Sequence, residues 1–447
     1  MKTHRQLILP AATIVALTGC YEQILVPGDE ANDRVEVTND EWVLGQRVTY
    51  PDASVPIDEA ALTAFRTAPA SSTGSWSIVA SRPAHRDGTM AMSTGPALAP
   101  SSITLTLEAE VDPPTVSGEV VQATSVWVTG GNKAVVSYNF RGTPALGGID
   151  YLEKLNKDVP RLRSSAVFDD TDVNAVTIDD NAAYLAELSS DPLLPSSALV
   201  ERISFRGKKF TLDNAVRAPV ASFAATSVMV ARDILYATSG DDGAVYAFDQ
   251  DDLSLLGEFP LDDARWVAWD QDGDRLLVAQ GTPGRISVFE EGVFPGGSMN
   301  LLASYPFPGA NVPESKSTVE VAGELAFIAA GPEGVQVMCI ETGEIVGNVP
   351  RPDPASLGLD PSVVVTNSVT VDDDVMFISN GEAGIYAAAT DDDFDDIRCG
   401  DPVTIQLLGR LRFDDLQSAN HIMYRGKTLY VAAGLGGIKV VEADIDD

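Results

Sequence analysis

Residues 317–337 contain three short runs separated by turns: Ser317-Thr318-Val319-Glu320-Val321, Leu325-Ala326-Phe327-Ile328-Ala329 and Val335-Gln336-Val337. The turns between them, Ala322-Gly323-Glu324 and Ala330-Gly331-Pro332-Glu333-Gly334, are rich in glycine. Runs of β-branched and aromatic residues bounded by such turns predict antiparallel strands joined by tight hairpins. This stretch therefore predicts a small antiparallel sheet.

The opening of this stretch recurs along the chain. A small or polar residue or two, followed by an apolar-any-apolar triplet, occurs seven times, and the central apolar residues are Val126, Val176, Val228, Val267, Val319, Val369 and Ile422. Their spacings are 50, 52, 39, 52, 50 and 53 residues. Four short antiparallel strands repeated at this interval are typical of a propeller blade. The sequence predicts an all-β, seven-bladed β-propeller over residues 115–447.

The two ends of this region predict how the ring closes. The last repeat stops after its third strand, at Val440-Val441-Glu442, and a strand-like run from Val116 to Ala123 precedes the first repeat. Pairing this N-terminal run with blade seven would supply its missing outer strand. Closure of this kind leaves no long exposed strand edge.

The sequence of these repeats resembles that of a known family. Val321 to Ala329, Gly334-Val335-Gln336-Val337 and Gly437-Ile438-Lys439-Val440-Val441 resemble the repeats of bacterial cell-surface propellers named for a Leu-Val-Ile-Val-Asp (LVIVD) signature. The aspartate of the signature is missing from most copies, so the resemblance is to the wider repeat type. It covers residues 111 to 445 and implies a propeller architecture, while a shared fold leaves activity open.

The first twenty residues have the layout of an export signal. Lys2, His4 and Arg5 precede a short apolar run from Leu7 to Leu17, too short for a mature membrane-spanning helix. The following Leu17-Thr18-Gly19-Cys20 resembles the lipobox of bacterial lipoproteins, which implies cleavage after residue 19 and lipidation of Cys20. Tyr21 stands where an aspartate would retain a lipoprotein in the inner membrane, so the resemblance implies the outer membrane, facing periplasm or cell surface. An ordinary signal peptide with a chance cysteine is the alternative.

Residues 20–114 are irregular and contain segments rich in Ala, Ser, Thr, Gly and Pro, such as Ala68 to Gly74 and Ser93 to Ser102. This composition favours a partly ordered tether between anchor and propeller. Short β-like runs such as Ser102 to Glu110 leave a small β region as an alternative.

The charge is strongly acidic. Removal of residues 1–19 takes away Lys2 and Arg5 and no acidic residue, so the net charge of −35 becomes −37. Such a charge disfavours nucleic acid, whose binding depends on Lys and Arg clusters.

Beyond Cys20 there are two cysteines, Cys339 and Cys399, which an oxidising compartment would allow to pair.

Residues at the channel rim predict no catalytic site. Those preceding each triplet are mostly Ser, Thr, Asn and Ala, and only Arg265, Trp266 and His421 stand out. General acid–base catalysis needs a titrating group close to substrate. The segment Asp270-Gln271-Asp272-Gly273-Asp274 begins like a calcium loop but lacks its closing glutamate, and Asp391 to Asp396 is a second acidic run. We expect neither metal nor cofactor, with loose calcium binding as the alternative.

Long loops predict a contact surface instead. Leu193 and Leu194 lie in an extended loop of blade two, and the loops from Pro306 to Ser315 and from Pro350 to Thr366 precede inner strands. Apolar residues on long loops of a rigid scaffold are typical of binding surfaces. The residues expected to form this surface are Leu193, Leu194, Arg265, Trp266, Phe307 and His421.

These observations favour a non-catalytic, lipid-anchored envelope propeller that binds a protein or envelope component, or acts as a scaffold. A propeller hydrolase or lactonase, in a calcium-dependent form as one variant, is the main alternative. A subunit of an outer-membrane assembly machine is a third interpretation.

Overall fold

The computed structural model describes residues 24–25, 33–65, 76–80, 102–130, 132–154, 159–179, 181–309, 315–413 and 418–446. Within these residues the chain forms seven large sheets, the blades, each with four antiparallel strands at its centre, and one separate two-stranded hairpin. Their first strands contact one another in sequence, and the first blade also contacts the seventh. This closed ring confirms the predicted seven-bladed β-propeller. Cys20 and the preceding signal lie outside the described residues.

Several short elements and one long strand precede the first blade. The strands are β1 (Ile24–Leu25), β2 (Val35–Thr38), β3 (Val48–Thr49), β4 (Ala53–Ser54), β5 (Ile57–Asp58), β6 (Ser77–Ala80), β7 (Ser102–Val111), β8 (Thr115–Val116) and β9 (Glu119–Val120). The described helices of the chain are all short: α1 (Glu41–Gly45), α2 (Pro354–Leu357) and 3-10 turns at Glu59–Ala64 and Pro295–Gly297.

The blades follow in order, each with its inner strand first. Blade one is β10 (Gln122–Thr129), β11 (Lys133–Asn139), β12 (Gly147–Glu153) and β13 (Arg161–Phe168), and blade two is β14 (Thr171–Asp179), β15 (Ala182–Ser189), β16 (Ala198–Phe205) and β17 (Phe210–Pro219). Blade three is β18 (Ala225–Ala231), β19 (Ile234–Ser239), β20 (Ala244–Asp249) and β21 (Leu255–Pro260), blade four is β22 (Ala264–Asp270), β23 (Arg275–Gln280), β24 (Arg285–Glu290) and β25 (Leu301–Pro306), and blade five is β26 (Val319–Ala322), β27 (Leu325–Ala329), β28 (Val335–Cys339) and β29 (Ile345–Val349). Blade six is β30 (Ser368–Asp372), β31 (Val375–Ser379), β32 (Ile385–Ala389) and β33 (Thr404–Leu411), and blade seven contains β34 (His421–Arg425), β35 (Thr428–Ala432) and β36 (Ile438–Asp446).

The repeated glycine before the third strand has a steric cause. Gly334 and Gly437 have φ angles of 77° and 67°, a region that L side chains rarely adopt. A Cβ atom at either position would also collide with a backbone carbonyl, that of Val349 or of Val111, on the neighbouring outer strand. The glycine therefore allows the fourth strand of the blade to approach.

The ring closes with a strand from the N-terminal side, but the predicted residues were wrong. Strand β36 pairs antiparallel with β7, from Ile438 opposite Val111 to Asp446 opposite Ser102. The run from Val116 to Ala123 does not form the closing strand, because Ser117 and Gly118 adopt positive φ and fold β8 and β9 into a separate hairpin. The propeller therefore begins at residue 102, not at residue 115.

The described residues of the segment predicted as a tether are built onto the propeller rim. Strand β1 pairs with blade two, β2 with blade one, β3 and β4 with β7 of blade seven, and β5 and β6 with blade six. We call residues 33–65 and 76–80 the belt. Each belt strand covers the otherwise free outer edge of a blade, where unpaired backbone groups invite association with other chains. Its described residues make neither an independent β region nor a spacer that stands off from the propeller.

Two belt arginines reach buried carboxylates. Arg34 Nη2 lies 2.5 Å from Glu201 Oε1 of blade two, and Arg47 Nη2 lies 2.5 Å from Asp150 Oδ2 of blade one. Both carboxylate side chains are fully buried. The Tyr138 hydroxyl donates to the same Asp150 oxygen at 2.7 Å. Since a buried carboxylate without a cation is strongly unfavourable, these pairs hold the belt to the ring.

Candidate binding site at the channel mouth

The inner strands enclose a channel, and a cavity of about 930 Å³ opens at the end where these strands begin. We call this cavity the mouth. Its lining includes backbone and side chains from the starts of inner strands, from loops joining second and third strands, and from the β8–β9 hairpin. The charged residues among them are Glu119, Arg141, Asp263, Arg265, Lys316 and Glu382.

The polar residue that opens an inner strand joins neighbouring blades. The Thr124 hydroxyl donates to the carbonyl of Val173 at 2.9 Å, and the Thr226 hydroxyl to that of Ala264 at 2.7 Å. Asn174 and Asn420 make the equivalent side-chain bonds, to Ala225 O at 2.9 Å and Ala123 O at 2.8 Å. Each bond crosses from one blade to the next, so these repeated side chains have a structural role. Each of these side chains spends at least one hydrogen bond on the neighbouring blade.

Trp266, with the ring of His421 packed against it, forms the floor of the mouth. They belong to blades four and seven, on opposite sides of the channel, and their ring centroids lie 5.0 Å apart. Trp266 is 8% exposed and His421 4% exposed. Burial, and to a lesser degree the charge of Lys316, lowers the pKa of His421 to about 3. The two rings form a neutral plug between the mouth and a smaller pocket beyond it, which Trp127, Met229 and Trp269 help to line.

Lys316 spans the channel above this floor. The residue precedes the inner strand of blade five, and its Nζ donates to the carbonyl of Asn174 in blade two at 3.2 Å. Burial, together with the nearby charge of Arg141, lowers the pKa of Lys316 to about 8. In the described part of the chain, no carboxylate lies within salt-bridge distance of this ammonium group.

Arg265 is fixed at the side of the mouth. Its Nε and Nη2 donate to the two carboxylate oxygens of Asp263 at 2.9 and 2.8 Å, and Nη1 donates to Ser315 O at 3.2 Å. The bidentate pair neutralises Arg265 and leaves little freedom for it to move. Lys316 and the exposed Arg141 are therefore the cations of the mouth without such a pairing among the described residues.

Leu193 and Leu194 lie on the loop between β15 and β16, on the same face as the mouth. Leu193 is 89% exposed and Leu194 is half-buried. Ser196 and Ser197 fasten this loop by donating to the carbonyls of Ser222 and Phe223 at 3.1 and 2.7 Å. Phe223, beside the loop, is 70% exposed, and sequence reasoning missed it. A lone aromatic residue just before the inner strand of blade three was the available signal.

Phe307, which was predicted to lie on the contact surface, is not a surface residue. Phe307 is only 5% exposed and packs in the hydrophobic core shared by blades two to five, with its N–H donating to Gly284 O at 3.0 Å. Phe307 continues directly from β25, so blade packing buries it rather than a loop displaying it. Trp266 and His421, which were expected at the channel rim, lie inside the channel and are buried. Of the three, only Trp266 contributes to the lining of the mouth.

The long loop from Pro350 to Thr366 reaches the mouth. Arg351 is 6% exposed and organises the loop by donating to the carbonyls of Pro361 and Val364. Ser362, Val363 and Val365 then line the cavity.

Cys339 and Cys399 form a disulfide that joins blades five and six, with their Cα atoms 5.3 Å apart. The bond cross-links the end of β28 to the segment before β33.

The acidic turns are engaged within the protein. Asp270 accepts hydrogen bonds from the backbone N–H of Gly273 and from Arg275, both at 2.9 Å. Asp395 accepts from the N–H of Gly323 at 3.2 Å. Over the described residues there is no group of three or more His, Cys, Asp or Glu side chains arranged to hold a metal ion. The helices described are also all too short to cross a membrane.

No family model and no curated protein matches this sequence. Among solved structures, the WD40 β-propeller domain of Doa1 is similar with a TM-score of 0.47 and 8% identity, covering 74% of this chain and 96% of that one. The computationally designed Ika8 protein is similar with a TM-score of 0.44 and 10% identity, covering 74% of this chain and 99% of that one.

Proposed function

We propose that this chain is a lipid-anchored envelope propeller that binds a protein or envelope component at the channel mouth and catalyses no reaction. The observation that carries the proposal is the coincidence of two features on one face. A cavity of about 930 Å³ lies there, and the exposed apolar side chains Leu193, Phe223 and Leu435 stand on the same face.

The face suits recognition because it is both rigid and varied. Hydrogen bonds between blades fix the strand ends, and Ser196 and Ser197 fasten the loop that carries Leu193. Exposed apolar groups within a polar surround are the arrangement from which binding hot spots are built. Because the groups are held in place beforehand, little conformational entropy is lost on binding.

The location rests on the N-terminal sequence. We assign residues 1–19 to a lipoprotein signal and Cys20 to lipidation, with the outer membrane as the destination. Several acyl chains on one cysteine would hold the protein firmly, since each buried CH₂ contributes about 0.8 kcal/mol. The test is fractionation of a Cys20→Ala variant. We expect it to remain unprocessed or to become soluble, and normal processing with outer-membrane retention would reject the anchor.

The recognition face is tested by affinity capture from the native envelope, followed by mass spectrometry. The bait is the mature chain with Cys20 replaced by serine, and the test variant carries Leu193→Asp with Phe223→Asp. Leu302→Asp is the matched control, because Leu302 is 51% exposed but lies on the outer strand of blade four. We expect a specific partner to be lost from the test variant and kept by the control. A partner lost from the control alone would place recognition on the rim.

A further inference from the structure

The channel mouth contains a cation that nothing in the described structure balances. The chain carries a net charge of −35, yet the Lys316 ammonium sits inside the mouth, within reach of a second cation, Arg141. Arg425 and Lys439, by contrast, each lie against a carboxylate, of Glu320 and of Glu110. Lys316 is half-buried, and partial removal of a charge from water without a counter-charge is unfavourable. A bound anion would remove that cost.

The hydrogen bonds of Lys316 leave room for such an anion. An ammonium group has three donors, and the described structure uses one, on the carbonyl of Asn174. At least part of the remaining donor capacity can face the cavity, which Lys316 lines. The volume of about 930 Å³ is within the range of sites that hold small molecules or an inserted peptide end.

The charges around the mouth favour a single negative charge. Three acidic residues, Glu119, Asp263 and Glu382, line the mouth beside its three basic residues. Asp263 neutralises Arg265, so the cations that remain are Lys316 inside and Arg141 at the rim, with Glu119 and Glu382 exposed. A phosphate dianion would be repelled by the acidic surround and would find too few donors. A carboxylate matches the single ammonium group of Lys316, which is half-buried.

We propose that the mouth binds a carboxylate-bearing ligand through Lys316, either a small organic acid or the carboxylate of an inserted polypeptide. The inference deepens the proposed function, on which it rests for the choice of face. The carboxylate would accept hydrogen bonds from the remaining Nζ–H groups of Lys316 above the Trp266–His421 floor. The positive charge of Arg141 at the rim would attract the same carboxylate. The remainder of the ligand would extend toward the exposed apolar loops.

The affinity should depend on pH through Lys316. The titratable and charged groups facing it are Glu119, Arg141, Asp263, Arg265, Glu382 and His421. Since the pKa of Lys316 is lowered to about 8, its ammonium is largely protonated at pH 7 and is lost as the pH rises through 8. Carboxylate affinity should therefore fall above pH 8. In a Lys316→Arg variant, whose guanidinium stays charged, this fall should disappear.

The test is competitive acylation of lysines at pH 8, read by mass spectrometry on the mature chain. Probes are a panel of mono- and dicarboxylates and of peptides with free C-terminal carboxylates, each paired with its amide, and inorganic phosphate. We expect at least one carboxylate to slow the labelling of Lys316 while its amide does not. Lys427, which is exposed and paired with Asp444, serves as the internal control and should be unaffected. Protection by small acids or by peptides alone would identify the source of the carboxylate.

Direct titration then measures the contribution of Lys316. A Lys316→Met variant should bind the protecting carboxylate at least about tenfold more weakly, as expected for loss of a charged hydrogen bond. Lys427→Met should bind it normally. The inference is overturned if no carboxylate protects Lys316, if amides protect equally, or if phosphate protects better. Envelope capture tests the apolar loops independently of Lys316. The proposed function therefore stands if the carboxylate tests fail and capture succeeds, and the carboxylate site stands if capture fails and Lys316 is protected.

Discussion

The inner strands and the outer rim of this propeller are stabilised in different ways. At the starts of the inner strands, which we call the inner end, small polar residues recur and join neighbouring blades through hydrogen bonds such as those of Thr124 and Thr226. At the rim, the belt adds short strands and anchors itself with Arg34 and Arg47 on buried carboxylates. The inner end is repetitive and therefore visible in the sequence. The rim is specific to each blade and is visible only in three dimensions.

The largest effect should come from removing the closing strand. Deleting residues 102–111 exposes the edge of β36 and leaves buried residues such as Val440 and Val441 without a cover. Since domains are stable by only about 5–15 kcal/mol, we expect this deletion to abolish cooperative unfolding. Deleting residues 21–65 should lower the melting temperature but leave the ring folded. Circular dichroism melts compare them, and equal stability of the two truncations would contradict the closure described here.

A smaller effect should follow from unpairing one belt arginine. Arg47→Met leaves the fully buried Asp150 without its cation, and such a loss typically costs about 3–5 kcal/mol. Arg206→Met is the control, because Arg206 and Asp213 are an exposed pair, whose loss should cost less than about 1 kcal/mol. Urea unfolding measures both. Similar losses in the two variants would mean that the belt is not held by its buried ion pairs.

The stability of the inner end should depend on pH through His421. His421 has a pKa of about 3 in the folded protein and about 6.5 when unfolded, so between these values the unfolded state binds more protons. The free energy of unfolding should therefore fall as the pH falls, by up to about 1.4 kcal/mol per pH unit.

We expect the wild type to lose about 1.6 kcal/mol more stability between pH 6.5 and pH 5 than a His421→Gln variant. The raised pKa values of Asp172 and Glu187 change stability equally in both proteins, so they cancel in the difference. Identical pH profiles for the two proteins would show that His421 is not held neutral in the channel.

What the sequence could predict follows the same division. The inner-strand triplets predicted all seven blades, because the same contacts recur in each of them. The closing strand was misplaced because Ser117 and Gly118 interrupt the nearer run, while Ser102 to Glu110 lies outside the repeat. The belt strands of two to four residues are too short to leave a periodic pattern. Their partners are on distant blades.

The candidate site was predicted only in part. Leu193 was predicted to be exposed because it lies in a long polar loop, and its side chain is exposed in the structure. Phe307 could not be distinguished from a loop residue, since its burial depends on how neighbouring blades pack. Lys316 stands immediately before the repeated opening of its blade, and only the closed ring brings it across the channel to Asn174. A site built across a ring has no signature in local spacing.

Site-specific photo-crosslinking in living cells tests most directly whether recognition occurs at the mouth. Leu435 lines the mouth and is 49% exposed, while Leu302 is 51% exposed on the outer rim, so a photoreactive residue at either position samples solvent equally. If the partner binds at the mouth, we expect a discrete crosslinked adduct from position 435 and none from position 302. An adduct from position 302 without one from position 435 would contradict it.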